Sequence, residues 1–88
     1  MKDIVKKAWA GTLESSDAYV EVEPAQDLTI ELQSVVQAQF GDAIMQVVHE
    51  VLSEHQVEKA AVRIVDRGAL ECVIRARVET ALLRGREG

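Results

Sequence analysis

The chain has 88 residues, 48% of them hydrophobic and 28% charged, and fifteen acidic against ten basic side chains leave a net charge of −5. A chain of this length makes one domain (1–88, with an ordered core expected over about 8–84), because it buries only roughly 60–65% of the surface its unfolded form exposes. The negative balance opposes non-specific nucleic-acid binding, which needs a basic surface to neutralise phosphates, and a lone Cys72 excludes both an internal disulfide and a cysteine-based zinc cluster.

No apolar run approaches the length of a membrane span. Residues 1–7 contain no apolar stretch long enough for a secretion signal. The expectation is a cytoplasmic protein without membrane contact.

Residues 5–13 are small and apolar around Trp9, as in a short strand running into a turn. That turn, Gly11-Thr12-Leu13-Glu14-Ser15-Ser16-Asp17, is rich in side chains that bond the backbone of tight connections. If the chain approaches it extended, Ser15 shares a side with Leu13, and Ser16 shares the side of Glu14. Residues 18–23 then alternate, with Ala18, Val20 and Val22 on one face and Tyr19, Glu21 and Glu23 on the other. Pro24 to Asp27 punctuates, and residues 28–33 alternate again. Three strands with short connections predict an antiparallel meander.

The period then changes from 2 to 3.6. Phe40, Ile44, Val47, Val48, Val51 and Leu52 form the stripe of an amphipathic helix, which residues 35–39 could extend. His49 lies opposite that stripe, and His55 ends the helix, where a cation is favoured. The two histidines are six positions apart, where one helical face wants three or four, so both read as structural and no metal site is expected. Residues 59–66 form a fourth strand, with Val62 and Ile64 on one side, and Asp66-Arg67-Gly68 signals a turn. Leu70, Val73, Ile74, Val78, Ala81 and Leu82 mark a second helix, with residues 85–88 expected to fray.

The order β-β-β-α-β-α predicts an α+β fold. It is a small two-layer sandwich, a mostly antiparallel sheet of three to four strands with two helices on one face.

Arg77 breaks the pattern of the second helix by falling inside its apolar stripe. Either its stem packs while its head reaches water or a glutamate, or it contacts a phosphate or a partner. Arg75 and Arg84 lie off the stripe and read as solvated, and Cys72 reads as a small filler with no base placed to activate it.

Three runs, GTLESSD at 11–17, QFGDAI at 39–44 and DRGALECVIRARVETALLR at 66–84, resemble in order and spacing the acyl carrier protein, or gamma chain, of bacterial citrate lyase. The resemblance is colinear from about residue 10 to residue 84. It implies that the serine after the glutamate of the GTLES run, Ser15, carries phosphoribosyl-dephospho-CoA through a phosphodiester, with Ser16 the alternative one residue on. It implies further a non-catalytic subunit of a cytoplasmic citrate-fermenting lyase. Its arm would hold acetyl and citryl thioesters during cleavage of citrate to acetate and oxaloacetate. The implied partners are the alpha (transferase) and beta (lyase) subunits and the transferase that attaches the arm. The residues themselves add no catalytic triad and no phosphate-cradling glycine loop, as a carrier requires. A malonate decarboxylase-type acyl carrier and an unmodified acidic interaction module are the competing readings. Biotinyl and lipoyl carriers are disfavoured, because the turn holds no lysine.

Overall fold

Alternating burial builds one mixed sheet from four segments in a computed structural model that describes residues 3–87. The strands are β1 (Ala8–Gly11), β2 (Ala18–Glu23), β3 (Leu28–Ser34) and β4 (Ala60–Asp66). Helix α1 (Gln37–Glu54) joins β3 to β4, and α2 (Glu71–Arg86) follows β4. The element order is the one predicted, and the fold is α+β.

The strand order differs from a meander. It is β1-β2-β4-β3, with β1 and β4 antiparallel to β2 and β3 parallel to β4. The physical reason lies in α1 and in what each strand can bury. An 18-residue helix rises about 27 Å and carries the chain back along the sheet, so the next strand runs parallel to the last. Strand β4 buries Ala60, Val62, Ile64 and Asp66 on one face and takes a central place. Strand β3 is only half-buried at Ile30 and Leu32, which suits an edge.

The inward face of the sheet, from Ala8, Ala10, Val20 and Val22 to Val62 and Ile64, packs under both helices. Helix α2 covers β1 and β2 while α1 packs on α2 and β3. The core positions of α1 are Ile44, Val47, Val48, Val51 and Leu52, and those of α2 are Ile74, Val78, Ala81 and Leu82. Each fully buried aliphatic side chain here stabilises by about 1.5–3 kcal/mol.

The ends of the helices depart from the predicted stripes. Helix α1 begins at Gln37 with Val36 as its N-cap, so residues 35 and 36 do not extend it. Phe40 is exposed, and so is Leu70, the residue before α2. The two line an apolar groove of about 330 Å³ between the helix N-termini, with Val36, Ala69 and Ile74. At the other end α2 continues through Gly85 instead of fraying. The Gly85 carbonyl accepts the N–H groups of Val5 (2.9 Å) and Lys6 (3.2 Å), and Ile4 is buried against it. Gly88, the last of the residues expected to fray, lies outside the described residues. Among the described residues no helix is long and apolar enough to cross a membrane.

Candidate functional site

The serine turn sits where β1 ends and β2 begins, and a glycine makes that junction possible. Gly11 pairs with Tyr19 at a φ of +92°, a left-handed backbone that glycine adopts without steric cost. From there the chain closes a β-turn over residues 14–17, in which the Asp17 N–H donates to the Glu14 carbonyl at 3.1 Å. Ser15 and Ser16 are the two central residues, both exposed, and Ser16 has a φ of +68°. The alternation expected of an extended approach therefore does not apply to them. In a turn, the two hydroxyls are separated by backbone twist and not by strand pleat.

A backbone exchange ties this turn to the sheet. The Ser16 N–H donates to the Arg67 carbonyl (2.8 Å), and the Arg67 N–H donates to the Asp17 carbonyl (2.9 Å). This continues the β2–β4 ladder one step beyond the Ala18–Asp66 pair.

The Asp17 carboxylate gathers the side-chain contacts. Oδ2 accepts the Thr12 hydroxyl at 2.7 Å, and Oδ1 accepts the Ala18 N–H at 2.7 Å. Thr12 Oγ1 in turn accepts the Glu14 N–H at 3.2 Å. Arg77 reaches from α2 and forks onto both oxygens, Nε to Oδ1 at 3.0 Å and Nη2 to Oδ2 at 3.1 Å. The anomalous arginine of the second helix thus meets an acid, but an aspartate of the serine turn and not a glutamate.

Arg77 first, then Thr12 and the Ala18 N–H, hold the Asp17 carboxyl at about 2, below its ordinary 3.8. A carboxylate whose folded value is depressed contributes its stability fully above the unfolded value and loses it as pH falls through the folded one. Stability is therefore expected to drop by about 1–2 kcal/mol between pH 4 and pH 2 from this group, a figure reduced for the partly exposed arginine. Urea midpoints of Asp17→Asn should lack that part of the pH dependence, whereas an identical slope in wild type and variant would contradict the assignment.

The other predicted residues fall elsewhere. His49 is exposed on α1, and His55 caps its C-terminus with Nε2 at 2.9 Å from Glu79 Oε2. His49 is thus on the solvent side of α1 and His55 at its end, the two positions expected of them. Cys72 is exposed and fills no gap in the core. Arg75 and Arg84 are not merely solvated. Arg75 pairs with Glu50, Glu54 and Glu71, joining α2 to α1, and Arg84 donates to the Trp9 carbonyl at 2.9 Å.

Asp66 was legible only as a turn signal, yet it is buried, with 1% of its surface exposed. It accepts the Ser34 hydroxyl at 2.7 Å and the Ala69 N–H at 2.9 Å, holding together the two loops beside the serine turn. A hint was available, since Asp66 falls on the same alternating face as Val62 and Ile64.

The turn therefore presents two exposed serines, with backbone groups on either side of Ser15 bonded to the rest of the fold. Comparison with known proteins gives the family. Residues 5–85 match the family model described as malonate decarboxylase delta subunit (MdcD). Citrate lyase acyl carrier protein 2 of Salmonella typhimurium is 51% identical over 86 residues, covering 96% of this chain and 89% of that protein. The citrate lyase acyl carrier protein of Vibrio cholerae serotype O1 is 55% identical over 83 residues, covering 92% and 85%. The chain belongs to the citrate lyase acyl carrier protein family. As a member it is a non-catalytic acyl carrier. The carrier also shares its fold with a chain in the crystal structure of a Pseudomonas malonate decarboxylase hetero-tetramer in complex with malonate. The TM-score is 0.80 at 24% identity, with 91% of this chain and 84% of that one covered.

Proposed function

We propose that this carrier serves citrate lyase and that Ser15 bears phosphoribosyl-dephospho-CoA through a phosphodiester. The observation that carries the reading is the GTLES run folded as an exposed turn, with Ser15 at its tip and the residues on either side bonded to the scaffold. The residues present fit such a group. Ser15 is exposed, so a bulky donor has access, and Ser15 itself is used in none of the turn's hydrogen bonds among the described residues. Glu14, exposed beside the position, repels the group's phosphates, whereas the charge of Asp17 is compensated by Arg77.

When bound, the group supplies a terminal thiol that carries acetyl and citryl thioesters while citrate is cleaved to acetate and oxaloacetate. This chain's share is presentation. A rigid sheet and two helices hold the attachment point, and alpha and beta subunits supply the transferase and lyase chemistry.

Intact mass tests the reading. Carrier incubated with the attaching transferase and its donor is expected to gain several hundred daltons, Ser16→Ala likewise, and Ser15→Ala nothing. A gain on Ser15→Ala with none on Ser16→Ala would move the site by one residue, and no gain on wild type would leave an unmodified interaction module. The fold shared with a malonate decarboxylase chain favours a second reading, a malonate decarboxylase-type carrier. Reconstitution of the loaded carrier with citrate lyase alpha and beta subunits decides between them by oxaloacetate release from citrate.

A further inference from the structure

We infer that Arg77, Asp17 and Thr12 form a positioning latch that holds the turn so that Ser15 is presented in one geometry to the attaching enzyme. The inference rests on the attachment at Ser15 proposed above and assigns a role to residues sixty positions apart in sequence.

The bonds form a continuous path from α2 to the residue before Ser15. Arg77 forks onto both oxygens of Asp17, a bidentate charge-assisted pair that fixes direction as well as distance. Each of those oxygens takes one further donor, Thr12 Oγ1 on Oδ2 and the Ala18 N–H on Oδ1. Thr12 then accepts the Glu14 N–H, and the Glu14 carbonyl accepts the Asp17 N–H. On the far side of Ser15, the Ser16 N–H is held by the Arg67 carbonyl. Both neighbours of Ser15 are therefore anchored while Ser15 is left for chemistry.

The stem of Arg77 passes close to the hairpin at Gly11, where an added Cβ would stand 3.1 Å from Arg77 Cδ. The Asp17 side chain is 16% exposed and that of Arg77 39%, so the acid's end of the pair is the one shielded from competing water.

The consequence is kinetic. The attaching enzyme forms the bond from Ser15 Oγ to a donor's phosphorus, as the donor's phosphate leaving group departs and the hydroxyl proton passes to solvent. It gains rate when the hydroxyl is already oriented, because ordering a flexible loop is otherwise part of its barrier. Two of the five N–H donors of Arg77 are committed to Asp17, and the latch acts through that pair on the turn.

The test compares carrier without the arm as wild type, Arg77→Met, Arg77→Lys, Asp17→Asn and, as a control, Arg75→Met, which removes pairs from α2 to Glu50 and Glu54 of α1 and none to the turn. Amide exchange at Ser16 and Asp17 is measured well below each melting temperature, together with kcat and KM for attachment. Arg77→Met is expected to exchange tenfold or more faster at those amides and to lose tenfold or more in kcat/KM, carried mainly by kcat. Arg77→Lys should fall between, since an ammonium cannot fork, and Arg75→Met should match wild type in both. Should Arg77→Met fail to fold, Asp17→Asn, which keeps an acceptor for Thr12, carries the same two expectations. Unchanged exchange, or faster exchange with an unchanged attachment rate, overturns the latch. If wild type gains no arm, the attachment reading falls, and exchange alone still decides whether the latch orders the turn.

Discussion

Gly11→Ala is expected to leave the carrier largely unfolded at 37 °C, with a loss of about 4 kcal/mol or more. A Cβ at this position would lie 1.8 Å from the Ala18 carbonyl oxygen and 3.0 Å from its carbon. The obstacle is backbone in β2, which cannot rotate away as a side-chain tip would. Relief requires opening the end of the β1–β2 hairpin, and that pulls on Asp17 and its four donors next door. The left-handed φ adds roughly 1–2 kcal/mol for any residue with a Cβ. Small domains hold only about 5–15 kcal/mol in total, so one such loss consumes much of it. Gly68→Ala is the control: the φ is also +92°, but nothing lies within 4 Å of the added carbon. It should cost about 1 kcal/mol. Urea midpoints of the two variants separate clash from conformational strain, and equal losses would show that the clash is relieved at no cost.

Asp66→Ala is expected to destabilise by about 2–4 kcal/mol, the penalty for stranding buried donors. The Ser34 hydroxyl and the Ala69 N–H both donate to this carboxylate, and Ser34 Oγ also accepts the Val36 N–H. The Val35 N–H donates to the Asp66 carbonyl at 3.2 Å, so side chain and backbone of one residue join the exits of β3 and β4. Asp66→Asn keeps one acceptor oxygen and should lose less than half as much. A double-mutant cycle of Asp66→Ala with Ser34→Ala, read by urea unfolding, should give a coupling of about 1 kcal/mol or more. A coupling near zero would mean that the two side chains do not share the bond.

Much of this architecture was legible because it is written in local periodicity. Val20 and Val22 alternate with Tyr19 and Glu21, and that pattern fits one strand with one buried face. Ile44, Val47, Val48, Val51 and Leu52 recur at helical spacing and do form the buried side of α1. Phe40 obeys the same period and is nevertheless exposed, because a helical stripe does not say where the covering layer ends. The turn was legible from residue types, since Ser and Asp compete well for backbone donors. Arg77 could be flagged as out of place but not paired, because its partner lies sixty residues away.

Sequence by itself therefore determined the element order, the two periods, the exposed serine turn and the family resemblance, all properties of neighbouring residues or of runs taken in order. Tertiary structure alone decided that β4 enters between β2 and β3, that Asp66 is buried between two loops, and that Asp17 receives Arg77. These are contacts between distant segments. A period of 2 marks a strand face without naming its neighbour, so pairing is chosen by which strand can be buried on both edges. Here β4, the more deeply buried strand, takes the centre and leaves β3 at the rim. An ionic pair behaves likewise: its members read as an odd arginine and an ordinary turn acid until the helix is laid over the hairpin and brings them to 3.0 Å.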